Sequence, residues 1–82
     1  MDSATYSALV AENVENALEA AGRSVLSIAE STGIPRSTLD RRLKSHGGSP
    51  FSVREVKAIA IVLGITAAEL LVVEDAVEGR AA

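Results

Sequence analysis

Four times along this chain of 82 residues, aliphatic side chains at helical spacing run into glycine, and a residue suited to starting a helix follows. The pairs are Gly22 with Ser24, Gly33 with Pro35, Gly47 and Gly48 with Ser52, and Gly64 with Thr66. Glycine takes the left-handed conformation past a helix end without steric cost, and a Ser or Thr side chain accepts the first free N–H groups of the next helix. Such punctuation divides the chain into short helices. A sheet would need alternating runs bounded by hairpin turns, and none is present.

The periodicity predicts a first helix over 5–21, with Tyr6, Leu9, Val10, Val14, Ala17, Leu18 and Ala21 inward and Glu12, Glu15 and Glu19 opposite. A second helix runs from the Ser24 cap to about Thr32 and buries Leu26, Ile28 and Ala29. The third has Pro35 in its first turn, where the missing N–H has no helical partner, and continues to about Ser45. Its apolar stripe is only Leu39 and Leu43, so most of its surface is left for something else. A fourth helix over 53–63 turns Val56, Ile59, Ala60 and Leu63 inward, and a short fifth spans 67–73. Ser52 with Glu55 and Thr66 with Glu69 have capping-box spacing, and Phe51 with Val56 and Ile65 with Leu70 that of hydrophobic staples.

Aromatic residues are only 2% of the chain, Tyr6 and Phe51, so the core must be Ala, Leu, Ile and Val, a composition suited to closely packed helices. A chain this short holds one core. The expected organisation is one all-α domain over 1–73 and a frayed tail, "EDAVEGRAA", over 74–82. There is no cysteine and one histidine, His46, so no disulfide, metal site or cofactor is expected. The N-terminus lacks the basic start and apolar run of a signal peptide, and no stretch approaches ~20 apolar residues. A cytoplasmic protein without a membrane partner is the expectation.

Charge is unevenly divided. Residues 1–35 carry five acids and one base, residues 36–57 six bases and two acids, and residues 58–82 four acids and one base. The net of −3 therefore hides a central block of +4. The second and third helices, joined by about three residues around Gly33, form a helix-turn-helix pattern, whose second helix enters the DNA major groove. Ala29 is small where the helices cross, Gly33 supplies the turn, and Ile34, Leu39 and Leu43 pin the third helix to the domain.

On those residues, segment 25–44 resembles the lambda-repressor-like (Xre/Cro-type) helix-turn-helix family of phage and bacterial regulators. The resemblance extends over roughly 6–73, including "FSVREVKAIAIVLGITAAELL". It implies a compact five-helix DNA-binding domain, a double-stranded DNA operator as partner, and a phage or bacterial repressor acting by occlusion. Two positions depart from the family: Val25 stands where a DNA-clamping Gln is usual, and Arg42 where an apolar anchor is more common. The second departure implies a slight rotation of the recognition helix.

Carried over by position, the base-facing residues are Arg36, Ser37, Asp40 and Arg41, with Thr38 at the border between base and phosphate. Arg36 or Arg41 would pair bidentately with guanine, worth ~1–3 kcal/mol of discrimination. Asp40 either accepts from a cytosine amino group or, the favoured reading, pairs with Lys44 one helical turn on. Ser37 and Thr38 either reach phosphates or cap the helix start. Arg42 and Lys44 are expected on phosphates, as are Arg23 and, at the start of the fourth helix, Arg54 and Lys57. His46 is expected to end the third helix near its negative pole, without a functional role.

Ile61, Val62, Leu71, Val72, Val73 and Val77 exceed what one small core needs. The core absorbs them, or they form a homodimer surface around the fifth helix. A twofold dimer would set two recognition helices about 34 Å apart. The rival reading is a helical protein-interaction module, such as an antitoxin or anti-repressor, which has no need for Arg36, Arg41, Arg42 and Lys44 together. An enzyme is not expected, because proton transfer needs positioned groups in a cleft and His46 sits beside Gly-Gly without a partner. "HGG" lacks the length and the Lys of a phosphate loop, and no small-molecule ligand is expected.

Overall fold

Residues 2–73 are described by the structure, a computed structural model, and they contain the five expected helices and no strand. These are α1 (Ser3–Ala21), α2 (Val25–Thr32), α3 (Arg36–Lys44), α4 (Val53–Leu63) and α5 (Ala67–Leu71). The segment 74–82 expected to fray, with Val77, lies outside the described residues.

Local capping sets most boundaries. The Asp2 carboxylate accepts the Thr5 N–H at 2.8 Å, which starts α1 two residues before the expected Thr5. That backbone hydrogen bond holds the Asp2 carboxyl below its ordinary range. Both capping boxes are closed. Ser52 Oγ accepts from the Glu55 N–H at 3.1 Å while Glu55 accepts from the Ser52 N–H at 2.8 Å, and Thr66 and Glu69 exchange the equivalent bonds. Pro35 corrects the sequence reading by one position. It is the N-cap of α3, with φ −57° and ψ 138°, rather than a residue of its first turn. No side chain caps α3, so Ser37 and Thr38 do not have the capping role.

α5 ends at Leu71, short of the expected residue 73, where the backbone becomes extended at Val72, with φ −70° and ψ 129°. The Asn13 side-chain amide donates to the carbonyls of Leu70 at 3.0 Å and Val72 at 2.6 Å, and the Tyr6 hydroxyl donates to that of Leu71 at 2.8 Å. Carbonyls at a helix end have no partner within the helix, so three bonds from α1 fasten the end of a five-residue helix that local propensity would not hold alone.

The core is wholly apolar. Val10, Val14 and Leu18 of α1 meet Ile28 of α2, Leu39 of α3, Val56, Ile59 and Ala60 of α4, and Leu70 of α5. No polar or charged side chain is buried among the described residues. Leu26 and Tyr6, expected inward, are 47% and 39% exposed. Leu26 sits on a two-turn helix that buries only Ile28, and Tyr6 lies near the end of α1, where its hydroxyl reaches outward to α5. Ala21 is likewise exposed.

The connection from α3 to α4 lies against the start of α1. His46 is in the left-handed region at φ 52°, directly after the C-cap Ser45, the position and conformation in which helices commonly end, so it stands at the end of α3 as expected. Gly47 follows at φ 91°, where a Cβ would collide with the Ala4 carbonyl oxygen and stand 3.2 Å from the Ala8 nitrogen. Gly33, at φ 80°, has nothing within 4 Å of the same position. The two glycines are therefore required to different degrees. Gly33→Ala is expected to cost about 1 kcal/mol, the left-handed penalty alone. Gly47→Ala should cost about 3 kcal/mol, because backbone must also move. The midpoints of urea unfolding measure both.

Candidate nucleic-acid interface

The turn between α2 and α3 is tightly bonded. The Gly33 N–H donates to the Ala29 carbonyl at 2.9 Å. Thr32 Oγ1 donates to the Ile28 carbonyl at 2.7 Å and accepts from the Ile34 N–H at 3.2 Å. Thr32 thus closes the end of α2 and aims the chain into α3, a part the sequence reading did not assign it. Leu39 is 2% exposed, and Ala29, Ile34 and Leu43 are partly buried against the same core. The four apolar residues expected to build this unit therefore share one core, and Gly33 forms the exposed turn between the two helices.

At 3.6 residues per turn, Arg36, Ser37, Asp40, Arg41 and Lys44 fall within one arc of about 140° on α3. Arg36, Ser37, Arg41 and Lys44 are exposed, whereas Thr38 and Asp40 are partly buried. Asp40 pairs with Arg36 at 3.8 Å, not with Lys44 as expected. Lys44 stands at the C-terminal end of α3, where free carbonyls already attract a cation. With 60% and 36% of the two side chains exposed, the Arg36–Asp40 pair is a surface contact of small worth, readily exchanged for another partner.

Arg42 overturns its expected role as a phosphate contact. It falls on the inward side of α3 with Leu39 and Leu43, and all of its guanidinium nitrogens are engaged. Nε and Nη2 donate to the two carboxylate oxygens of Glu55 at 2.9 and 3.2 Å, and Nη1 donates to Ser49 Oγ at 2.7 Å. Only 21% of the Arg42 side chain and 15% of that of Glu55 are exposed. The polar residue at an apolar-anchor position was the sequence signal, but its partner lies 13 residues away and no local pattern marks it.

Glu55 Oε1 also accepts the Ser52 N–H, so a single carboxylate caps α4 and binds α3. Burial alone would push the Glu55 carboxyl up. Hydrogen bonds from Arg42 and Ser52, with the Arg42 charge, outweigh that and hold it below its ordinary value. Leu39 and the partly buried Leu43 make a narrow apolar anchor, and burial, being nearly non-directional, fixes the rotation of α3 only weakly. The bidentate pair opposes that rotation, because its two parallel bonds demand a fixed geometry.

The remaining basic residues divide by how firmly they are held. Arg41 is exposed, and its Nε donates to Ser49 Oγ at 3.3 Å. Arg23, just before α2, lies along it, donating to Ser27 Oγ at 2.7 Å and Ser31 Oγ at 2.9 Å, so it is positioned by the helix that follows it. Arg54 and Lys57 are exposed near the start of α4, and Arg54 borders a shallow cleft beside Gly33 and Pro35.

The expected dimer surface is reduced. Ile61 and Val72 are 66% and 52% exposed, but Val62 and Leu71 pack partly against the core. Val73 is only 7% exposed and does not belong to a surface. Backbone at Val72 is extended, which sends successive side chains to opposite sides, Val72 outward and Val73 inward. Among the described residues, no helix is long and apolar enough to cross a membrane. No known protein family, curated protein or solved structure matches this chain.

Arg42→Ala strands a partly buried carboxylate and is expected to lower the unfolding free energy by about 2 kcal/mol at neutral pH, read by urea denaturation. The pH dependence has a definite sign. The stability Glu55 contributes is complete above its ordinary value of 4.5 and is lost as pH falls through the lower value it has in the fold. Arg42→Met, which removes the charge and keeps the apolar stem, should lose less stability than the parent between neutral pH and that acid range.

Proposed function

We propose that this chain is a sequence-specific double-stranded DNA-binding transcriptional regulator, a repressor of the phage or bacterial kind that acts in the cytoplasm by occluding its operator. The observation that carries this reading is the exposed arc of Arg36, Ser37, Arg41 and Lys44 on a helix docked through a tight, glycine-closed turn. An α-helix fits the major groove, and guanidinium groups on its outer side match the O6 and N7 acceptors of guanine. The arc belongs to the +4 block of residues 36–57, flanked by segments of −4 and −3. Acidic flanks repel a polyanion from the rest of the surface and favour one docking orientation.

Within this reading, Arg36 and Arg41 read bases, and Asp40 exchanges its exposed ion pair with Arg36 for the floor of the groove. Ser37 contacts a base edge or phosphate. Thr38, Lys44, Arg54, Lys57 and Arg23 serve phosphates, whereas Arg42 supports α3 from behind. A homodimer would use Ile61 and Val72, the two exposed members of the apolar surplus. The interaction-module reading has its own support in an apolar groove between Tyr6, Pro50, Phe51, Val53 and Leu71, at whose edge Val53 is 83% exposed.

Selection of random duplexes with the purified protein tests the proposal. A short enriched motif is expected, and a palindromic one would assign Ile61 and Val72 to a dimer. Arg36→Ala and Arg41→Ala should each reduce discrimination at one base pair by ~1–3 kcal/mol. Lys44→Ala should weaken all sequences alike and flatten the salt dependence by about one unit. Absence of any enriched sequence at low salt would transfer the assignment to the interaction module.

A further inference from the structure

Ser49 lies in the α3–α4 connection, outside the helix-turn-helix, yet its hydroxyl oxygen accepts from two guanidiniums. Arg42 Nη1 donates to it at 2.7 Å and Arg41 Nε at 3.3 Å. Ser49 is itself fixed to the end of α3, because its N–H donates to Ser45 Oγ at 2.8 Å and the neighbouring Gly48 N–H donates to the Ser45 carbonyl at 3.0 Å. Two cations on one oxygen repel each other unless one is neutralised. Glu55 does that for Arg42 with two bonds, so Arg41 approaches a hydroxyl whose other donor is already charge-compensated.

We propose that Ser49 is a positioning residue for sequence reading, its hydroxyl linking the Arg42–Glu55 pair to Arg41 and orienting the Arg41 guanidinium before DNA arrives. The proposal rests on the DNA-binding reading above and adds a determinant of specificity that touches no base. An exposed arginine on a helix samples many rotamers, and ordering it on binding reduces affinity. A guanidinium already held at Nε retains its Nη1 and Nη2 donors for a bidentate contact. Phosphate contacts need no such alignment, because a long cation reaches a phosphate from many conformations. The effect of Ser49 therefore belongs to discrimination and not to overall affinity.

The test measures binding to a selected duplex and to a scrambled one, by fluorescence anisotropy, together with thermal unfolding. Wild type, Ser49→Ala, Ser49→Thr, Arg41→Ala and the Arg41→Ala/Ser49→Ala double variant are compared. Ser49→Ala is expected to lower the preference for the selected duplex about two- to tenfold, with binding to the scrambled duplex unchanged. Ser49→Thr, which keeps the hydroxyl, restores the preference, and the double variant discriminates no worse than Arg41→Ala alone. Full preference retained in Ser49→Ala overturns the proposal. So does an equal loss on both duplexes, or a further loss in the double variant, since either marks a general structural role. If wild type shows no preference for any duplex, the DNA-binding reading itself falls and this one with it. Preference in wild type that survives Ser49→Ala removes only the role of Ser49.

Discussion

The carboxylate of Glu55 joins what would otherwise be two loosely related helices. It accepts the Ser52 N–H at the start of α4 and the Nε and Nη2 donors of Arg42 from α3, so the cap of one helix is also the brace of another. α3 contributes Leu39 and the partly buried Leu43 to the core. That narrow stripe fixes its distance from the domain better than its rotation. A bidentate ion pair with little solvent around it supplies the missing directional constraint, since its strength depends on angle as well as on separation. The orientation of everything on the outer side of α3 depends on this contact.

A second set of directional bonds secures α5 to α1. Asn13 and Tyr6, polar members of α1, take the carbonyls that follow from Leu70 to Val72. Both devices place polar groups at the border of a core that contains none. A small core of aliphatic side chains is tolerant about register, because dispersion and burial are nearly non-directional. Hydrogen bonds at its rim select one arrangement among several that would bury similar area. In this chain the selection falls on the helix that faces solvent with its basic side and on the short helix that closes the fold.

The limits of legibility follow from range. Helix ends were readable because their determinants are three or four residues apart: Ser24 and Ser27, Ser52 and Glu55, Thr66 and Glu69. The frame of Ala29, Gly33, Ile34, Leu39 and Leu43 was readable for the same reason: the four apolar residues lie against the core and Gly33 makes the exposed turn. Errors appeared where a side chain chose between a local and a distant partner. Asp40 had basic residues one turn away on both sides, and sequence spacing does not rank them. Arg42 was read as a phosphate contact because basic character is visible and burial is not. Val73 was placed on a surface because helix periodicity was extended past Leu71, where the backbone has already turned extended at Val72.

By itself, then, the sequence determined the number and order of helices, their capped starts and glycine ends, the apolar core positions and the concentration of positive charge on one segment. These are consequences of backbone geometry and side-chain polarity acting over a few residues, so they survive without knowledge of the fold. Only the tertiary structure decided which charges are spent internally and which remain outside. Arg42 is consumed by Glu55, Arg41 is held by Ser49, and Arg36 and Lys44 stay at the surface. The reason is physical: the partner of a charged group is set by distance in space and by desolvation, and both exist only once helices distant in sequence have packed together.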